Sequence, residues 1–497
     1  MRKIKILAIA VALIFSASCS DWLDVNTDPN FPSQVSPDLV FSTSIVEVGS
    51  ITGGYYNLLG GFWSQYWTQS NTANQYKYID QYEVDATDFN TQWRDMYITG
   101  LNDLQYVIKK SQESENWSVN LMATVIQCYG FQILADLYDE IPFNSALQGG
   151  KDLTPKFIKG EVVYDSLITR INKALSKPTT ALTNSEIKSD LMFGGDMAKW
   201  REFANTLKLK IYMRQMYARP TIAQAGIAAM YAANEQFLTT DAKLDIFTNE
   251  IGYQNPLYAS NNQGLNVGTN LRASATLFNY LQNKADSRFS KVFAPAPNGT
   301  VGQPLPQGGF NIQSPGAVDA AKVTLSNIDP IAPVYFISAA ESYFLQAEAV
   351  AKGWIPGSAK TLYDNGIKAA FNQYKLDATS YISTGGVYEF TAGTFEEQQK
   401  AIIMQKWLSM IGSNGIEAFF ETNRTHYPEI STISAYDASQ ANRLNPNYLG
   451  GALTYSMEGT TSGKFPKRLL FPKLERDSNP NVPTQVALTV KVWWDKK

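Results

Sequence analysis

Hydrophobic residues recur at helical spacing along most of the chain. One clear helical face is formed by apolar side chains three or four positions apart: Trp200, Phe203, Leu207 and Ile211. The cations Arg201, Lys208 and Arg214 lie off this face, as in an amphipathic helix. The pattern therefore predicts a helix here, with these cations away from its apolar side.

The segment 118–137 predicts a second long helix. Its residues are mostly apolar, Ser118 can cap its start, and Pro142 prevents its continuation. Cys128 lies inside this apolar run, where burial would keep a thiol protonated. We therefore expect Cys128 to be a small buried hydrophobic residue rather than a nucleophile.

The clearest pair of helices is predicted at 338–375. Ser338 and Glu341 have the spacing of a capping box at the start of the first helix. Gly353 ends that helix, and Ser358 can cap the second. Small and aromatic residues in the pair match the spacing of a tetratricopeptide repeat, which predicts a helical-repeat scaffold.

The stretch 236–330 differs from the helical segments because it is rich in Asn, Gln, Gly, Pro and Ser. This composition predicts long ordered loops and short strands, where binding residues tend to lie. No change of composition demands a second domain. The sequence thus predicts a mainly α fold over 38–497: one domain with a tetratricopeptide-repeat-like helical scaffold, long irregular loops and few short strands.

The N-terminus has the features of an export signal. An unbroken apolar run at 6–15 follows three cations: Arg2, Lys3 and Lys5. The run is too short to span a bilayer core of about 30 Å, so we expect a signal peptide over 1–18. The small residues before Cys19 resemble a lipobox, which predicts lipidation of Cys19 and a tether over 19–37. Plain secretion is the alternative.

The composition limits the chemistry that the chain can perform. The net charge is −3, and no basic stripe points to a nucleic-acid partner. His426 is the only histidine, which excludes a His-rich metal site. We expect no metal, no cofactor and no catalytic residue. Asp136, Asp139 and Glu140 form the nearest carboxylate cluster, which we expect to end a helix and open a turn rather than to act as a glycosidase pair.

Aromatic residues are dense between positions 55 and 93. Trp63 and Trp67 lie four positions apart, with Tyr66 between them, and so share one helical face. Such a stripe is more often part of a core than a ligand platform. Both tryptophans are nevertheless candidates for ligand contact.

A polar loop signal at 70–75 follows this aromatic stripe. Its ligand-binding candidates are two amides and the two rings just after them: Asn71, Asn74, Tyr76 and Tyr78. Rings beside amides suit a glycan, because a ring face packs on sugar C–H groups while amides bond hydroxyls. They equally suit a peptide backbone. Tyr253 and Tyr258 form a second candidate in the loop-rich stretch.

Six segments, in order, resemble the SusD/RagB family, particularly its second SusD-like branch. They are Leu23 to Asn30, Asp136 to Phe143, Phe193 to Leu209, the pair at 338–375, Gln405 to Pro428 and Arg468 to Glu475. The chain departs from the family pattern at His426, where we expect Gly, and at Phe471, which replaces a more usual Tyr. The resemblance covers almost the whole chain after Cys19.

The resemblance implies a nutrient-binding lipoprotein on the extracellular face of the outer membrane. It implies a SusC-like TonB-dependent transporter as partner, the lipid of the anchor, and a glycan or peptide ligand captured for uptake. No enzymatic activity is expected. Two alternatives stay open: a surface glycoside hydrolase that uses two carboxylates, and a transporter lid that binds no free ligand.

Replacing Cys19 by Ala tests the predicted anchor. We expect the Cys19→Ala protein to lose its acyl chains, by mass spectrometry, and to leave the detergent phase, because a lipidated Cys holds a protein at a membrane without spanning it. A variant that still carries acyl chains and partitions into detergent would show that the anchor lies elsewhere.

Overall fold

Helices make up most of the regular structure, which confirms the fold class predicted from the periodicity. The computed structural model describes residues 35–497 except 263–269, 301, 312–318 and 440–448. The expected signal peptide, Cys19 and most of the expected tether lie outside the described residues.

The first half of the chain is a series of helices joined by short turns. They are α1 (Pro37–Ile51), α2 (Asn57–Trp63), α3 (Lys77–Asp80), α4 (Asn90–Asp95), α5 (Asp103–Glu113), α6 (Trp117–Tyr138), α7 (Gly160–Leu175), α8 (Asn184–Ser189), α9 (Met197–Arg214) and α10 (Pro220–Ala232). Two π-helical segments, Thr52–Tyr56 and Met96–Asn102, and a 3₁₀ turn at Gly149–Lys151 interrupt this series.

The second half alternates helices with longer irregular segments. The helices are α11 (Pro256–Asn262), α12 (Ala275–Asn283), α13 (Phe289–Val292), α14 (Ala339–Ala351), α15 (Ala359–Asn372), α16 (Thr379–Ile382), α17 (Phe395–Ser409), α18 (Gly415–Thr425), α19 (Ala435–Ser439) and α20 (Lys473–Ser478). A 3₁₀ turn lies at Ala320–Lys322.

Short antiparallel strands tie the loops to the helices. They are β1 (Trp67–Gln69), β2 (Glu140–Pro142), β3 (Phe157–Lys159), β4 (Ala242–Leu244), β5 (Leu271–Ala273), β6 (Phe293–Ala294), β7 (Leu325–Ser326) and β8 (Val334–Ile337). The largest sheet has the order β1-β5-β7-β6, while β2 pairs with β3 and β4 with β8. Strands β4 to β7 lie in the stretch 236–330, where short strands were predicted.

Helix α6 is the central core helix. Its cap is Asn116, whose side chain accepts the Val119 N–H, so the helix begins before the predicted cap Ser118. Every residue from Ser118 to Tyr138 is buried, Cys128 included. Among the described residues, α6 alone is long and apolar enough to span a membrane, but its apolar window lies wholly inside the protein. Its composition is therefore that of a core helix.

Helices α2 and α18 cross at two glycines. A Cβ added at Gly60 would stand 2.1 Å from the Gly415 carbonyl carbon, so only glycine permits this approach. The Asn57 side chain accepts the Gly415 N–H at 2.6 Å and fixes the crossing. This contact places the Trp63 ring, at the end of α2, 4.9 Å from that of Phe419.

The predicted helix pair is present as α14 and α15, which pack against each other. Ser338 and Ser358 cap them as expected, each accepting a backbone N–H three residues later. Gly353 follows the first helix with φ 74°, the left-handed conformation that favours glycine. Only half of the predicted capping box forms, because the Glu341 carboxylate turns inward and binds Lys210.

Four cations and five carboxylates are buried together where five helices meet. The members of this ion network are Asp136 of α6, Lys210 and Arg214 of α9, Glu341 and Glu348 of α14, Lys406 of α17, and Glu417, Glu421 and Arg424 of α18. None of their side chains is more than 5% exposed. Burial alone would raise the pKa of Glu421, but Arg424, Lys406 and Arg214 outweigh it and hold that pKa well below its usual range.

Two cations of α9, Lys208 and Arg214, are buried, although the amphipathic pattern places them away from the apolar side of the helix. The predicted apolar face of α9 is fully buried, but Arg214 is buried too, 3.2 Å from Asp136 and 2.5 Å from Glu417. Lys208 is 3% exposed and donates to Glu235 at 2.9 Å. Amphipathic spacing does not reveal such pairing, because carboxylates from other helices supply the compensating charge.

Arg214→Met should destabilise the protein by about 3–5 kcal/mol, because it leaves Asp136, Glu417 and Glu421 buried with less positive charge. Arg94→Met is the matched control. Arg94 is 51% exposed beside Asp95, so its loss should cost no more than about 1 kcal/mol. Urea unfolding of both variants measures the difference. Equal costs would show that Arg214 does not compensate the buried carboxylates.

Candidate functional site

The polar loop after β1 is held in shape by one buried amide. Gln69, the last residue of β1, is fully buried. Its Nε2 donates to the Ala73 carbonyl at 3.1 Å, while its Oε1 accepts the Tyr76 N–H at 2.8 Å. The Ser70 N–H donates to the Asn270 carbonyl at 2.7 Å. The loop is therefore fixed at its start, middle and end before any ligand arrives.

A buried carboxylate lies beneath this loop. Asp80 accepts the Thr68 hydroxyl and the Gln69 N–H, both at 2.8 Å, and also the side-chain amide of Gln307. Burial raises the pKa of Asp80 to about 6, against the opposite effect of these hydrogen bonds. Asp80 thus joins β1, α3 and the distant segment 303–311 through neutral donors.

Two further segments surround the loop. The Tyr76 hydroxyl donates to the Ser260 carbonyl and so attaches the loop to α11. Lys77 Nζ lies 5.0 Å from the centre of the Phe310 ring, which brings 303–311 alongside. We call residues 70–78, together with α11 and 303–311, the loop surface.

The predicted ligand residues at the loop surface differ in exposure. Asn74 is exposed, and Asn71, Tyr78 and Tyr258 are half-buried, so all four present atoms to solvent. Burial raises the pKa of the Tyr78 phenol, with a further contribution from Asp88. The amides of the 70–76 loop and the rings of α3 and α11 are therefore accessible at the loop surface.

Three predicted ligand residues are buried. Trp67 and Tyr76 are each 1% exposed, which leaves no ring face for a ligand. Trp63 is 3% exposed and donates its Nε1 to the Ile79 carbonyl at 3.2 Å. A core role, which is more common for such an aromatic stripe, describes the two tryptophans better, because both rings are buried.

Tyr253 is 68% exposed on a turn before α11. The following Asn255 donates from its backbone to Pro330 and from its side chain to Ala332. These bonds attach the turn to the segment before β8, while the Tyr76 hydroxyl contacts α11 farther along, at Ser260.

Trp63 also lines an apolar cavity of about 470 Å³. Its lining includes Phe419, His426, Ile430 and Phe465. His426 has φ 61°, a left-handed conformation at the end of α18 that glycine adopts most easily. This geometry gives the physical reason for the glycine expected at that position.

The carboxylate cluster has the structural role that was predicted. Helix α6 ends at Tyr138, Asp139 has φ 70°, and β2 begins at Glu140. Asp136 is fully buried and accepts a hydrogen bond from the indole Nε1–H of Trp494 at 2.8 Å, so it cannot reach a glycosidic bond. This observation disfavours a glycosidase pair at this cluster.

Sequence reasoning missed the residues that shape the loop. Gln69 and Gln307 look like ordinary surface amides, and more than 200 positions separate Gln307 from its partner Asp80. Of these three residues, only Asp80 has a feature that the sequence shows, a charged residue directly after the hydrophobic Tyr78 and Ile79. Burial, rather than residue type, distinguishes these side chains.

Comparisons with known proteins give a family match and several similar structures. The SusD-like family described as starch-binding and associating with the outer membrane matches residues 29–448. A SusD homologue from Bacteroides uniformis aligns at TM-score 0.73 and 21% identity, over 92% of this chain and 99% of its own. A chitin-binding SusD homologue from Flavobacterium johnsoniae aligns at TM-score 0.70 and 19% identity, over 92% and 98%.

These matches confirm the predicted resemblance. A SusD-like protein from Bacteroidetes AC2a also aligns, at TM-score 0.73 and 18% identity, over 93% of this chain and 100% of its own. The comparison with curated proteins gives no match. Because the family match covers most of the chain, the protein belongs to the SusD-like family.

The pKa of Asp80 predicts a pH-dependent stability. Its folded pKa of about 6 exceeds the ordinary 3.8, so its contribution is present below pH 3.8 and is lost as the pH rises through 6. The unfolding free energy of the native protein minus that of Asp80→Asn should therefore fall between these pH values, by up to about 1.4 kcal/mol per pH unit. Urea unfolding across this range measures it. A flat difference would show that the hydrogen bonds keep Asp80 ionised throughout.

Proposed function

We propose that the protein captures a glycan on the loop surface, without cleaving it, for delivery to a SusC-like TonB-dependent transporter. The observation that carries this proposal is the fixed loop itself. Gln69 and Asp80 hold it from below, and the exposed Asn74 stands near half-buried Tyr rings. Amides that both donate and accept hydrogen bonds suit sugar hydroxyls, while rings suit the apolar face of a sugar.

The comparisons support a carbohydrate rather than a peptide. The family is described as starch-binding, and two of the similar solved structures carry the description chitin-binding. The fixed loop agrees with this choice, because a preorganised site loses little entropy when a ligand binds. The lipid anchor and the transporter partner are what the family resemblance implies, and they are part of the proposal.

Calorimetric titration tests the ligand class. Purified full-length protein is titrated with malto-oligosaccharides, chito-oligosaccharides and oligopeptides, and each mixture is then analysed for products. Saturable binding of one glycan series without new products supports the proposal. Binding of peptides alone overturns the glycan assignment. Cleaved products support the surface glycoside hydrolase instead. No measurable binding in any series supports a transporter lid that binds no free ligand.

Asn74→Ala should weaken binding of the responding glycan by about three- to tenfold, the effect of losing one hydrogen-bonding side chain. Asn172→Ala, which removes an exposed Asn on α7, is the matched control and should leave the affinity unchanged. Tyr258→Ala should weaken binding through the loss of ring contact. Equal affinities for all these proteins would place the glycan away from the loop surface.

A further inference from the structure

A second large recess lies on the helical scaffold, away from the loop surface. This cavity of about 660 Å³ is bounded by α5, α6, α7 and the segment 143–151. Each helix contributes polar residues at helical spacing: Gln105, Lys109 and Gln112 from α5, Asn120, Thr124 and Gln127 from α6, and Arg170 and Lys173 from α7, with Lys177 just after the end of α7. We call this cavity the basic groove.

The floor of the basic groove is the polar stripe of an otherwise apolar helix. Asn120, Thr124 and Gln127 are buried on α6 and face one side, because they are four and three positions apart. Asn120 Nδ2 donates to the Ile108 carbonyl at 3.1 Å, and Gln127 Nε2 to the Leu101 carbonyl at 3.1 Å. These bonds fix the amides in place.

The rim of the basic groove carries charge of one sign. Its cations are Lys109, Lys151, Arg170, Lys173 and Lys177, and none of the described lining residues is Asp or Glu. This contrasts with the net charge of −3 for the whole chain. Another cavity of the protein is lined by lysines together with Asp241 and Asp245. A lining whose charged residues are all cations is therefore not general in this protein. A concave surface of one sign concentrates the opposite charge.

Aromatic rings orient two of these cations. The Arg170 guanidinium lies 4.1 Å from the centre of the Phe143 ring, and Lys177 Nζ lies 4.2 Å from that of Trp117. Arg170 is bonded to the neutral amide of Gln127 at 3.2 Å. Burial lowers the pKa of Arg170, since no carboxylate offsets the loss of water there. An arriving anion would supply that missing charge.

We propose that the basic groove binds acidic sugar units, which carry a carboxylate or a sulfate, as a second glycan site. Arg170 and Lys173 are one turn apart on α7, about 4.5 Å along its axis, and Lys177 follows the end of the helix, so a linear chain with several charges can meet more than one cation. The lining also carries four amides that are exposed or half-buried, and amides can donate to and accept from hydroxyls: Gln105, Gln112, Asn144 and Gln148. An acidic peptide segment offers carboxylates but few hydroxyls, so it matches this lining less well.

Titration of purified full-length protein with acidic oligosaccharides tests the proposal. The probes are an oligogalacturonate, which carries carboxylates, and a chondroitin sulfate oligosaccharide, which also carries sulfate. The carboxyl-reduced oligogalacturonate is the neutral control. We expect saturable binding of at least one acidic probe, weakened by added salt, and no binding of the neutral control. A neutral control that binds as tightly as its parent, or silence from both acidic probes, would overturn the proposal.

Charge reversal locates the site. Lys109→Glu and Lys173→Glu change exposed residues on opposite rims, so both variants should fold. Each should weaken acidic probes at least tenfold, while Lys188→Glu, an exposed lysine outside the groove, and Asn74→Ala should not. The last variant separates this site from the loop surface, so either proposal can fail alone. Unchanged affinity in both rim variants, or tighter binding of a polyglutamate peptide than of any sugar, would overturn the assignment.

Discussion

The buried ion network is the interaction on which the rest of the structure depends. Arg214 of α9 meets Asp136 of α6 and Glu417 of α18, while Arg424 joins Glu348 of α14. Taking such charges out of water costs several kcal/mol each, and only close pairing offsets the cost. The helices can therefore pack in few other ways, since a displaced helix would leave charge unpaired. The network selects one arrangement more than it adds net stability.

Helix α18 links this network to the loop surface. The helix that holds Glu417 and Glu421 also carries Gly415, where α2 crosses it. That crossing positions Trp63, which supports the loop through the Ile79 carbonyl. The strand β1 follows directly, and its last residue, Gln69, fixes the polar loop. The shape of the polar loop therefore depends on the helix packing that the buried ion network holds in place.

Outside the network, the charges of the buried Asp80 and the half-buried Arg170 rely on neutral partners. Asp80 accepts hydrogen bonds from amides, a hydroxyl and the backbone, and Arg170 rests on Gln127 and on aromatic faces. Neutral dipoles offset a lost hydration shell less fully than an opposite charge does. Asp80 lies below the loop surface, and Arg170 lies in the basic groove. These two incompletely offset charges thus lie next to the two surfaces proposed to bind ligands.

The sequence by itself determined the helical class, the caps Ser338 and Ser358, the turn at Asp139 and the family. These features depend on residues close together in the chain, where spacing and turn chemistry are sufficient. It did not determine which polar residues are buried. Arg214, Gln69 and Gln307 resemble surface residues until distant segments supply their partners, and Trp67 and Tyr76 resemble ligand contacts until other elements cover them. Only the tertiary structure decided which of these side chains are buried, because burial and charge pairing arise from contacts between residues far apart in the chain, some of them more than 200 positions.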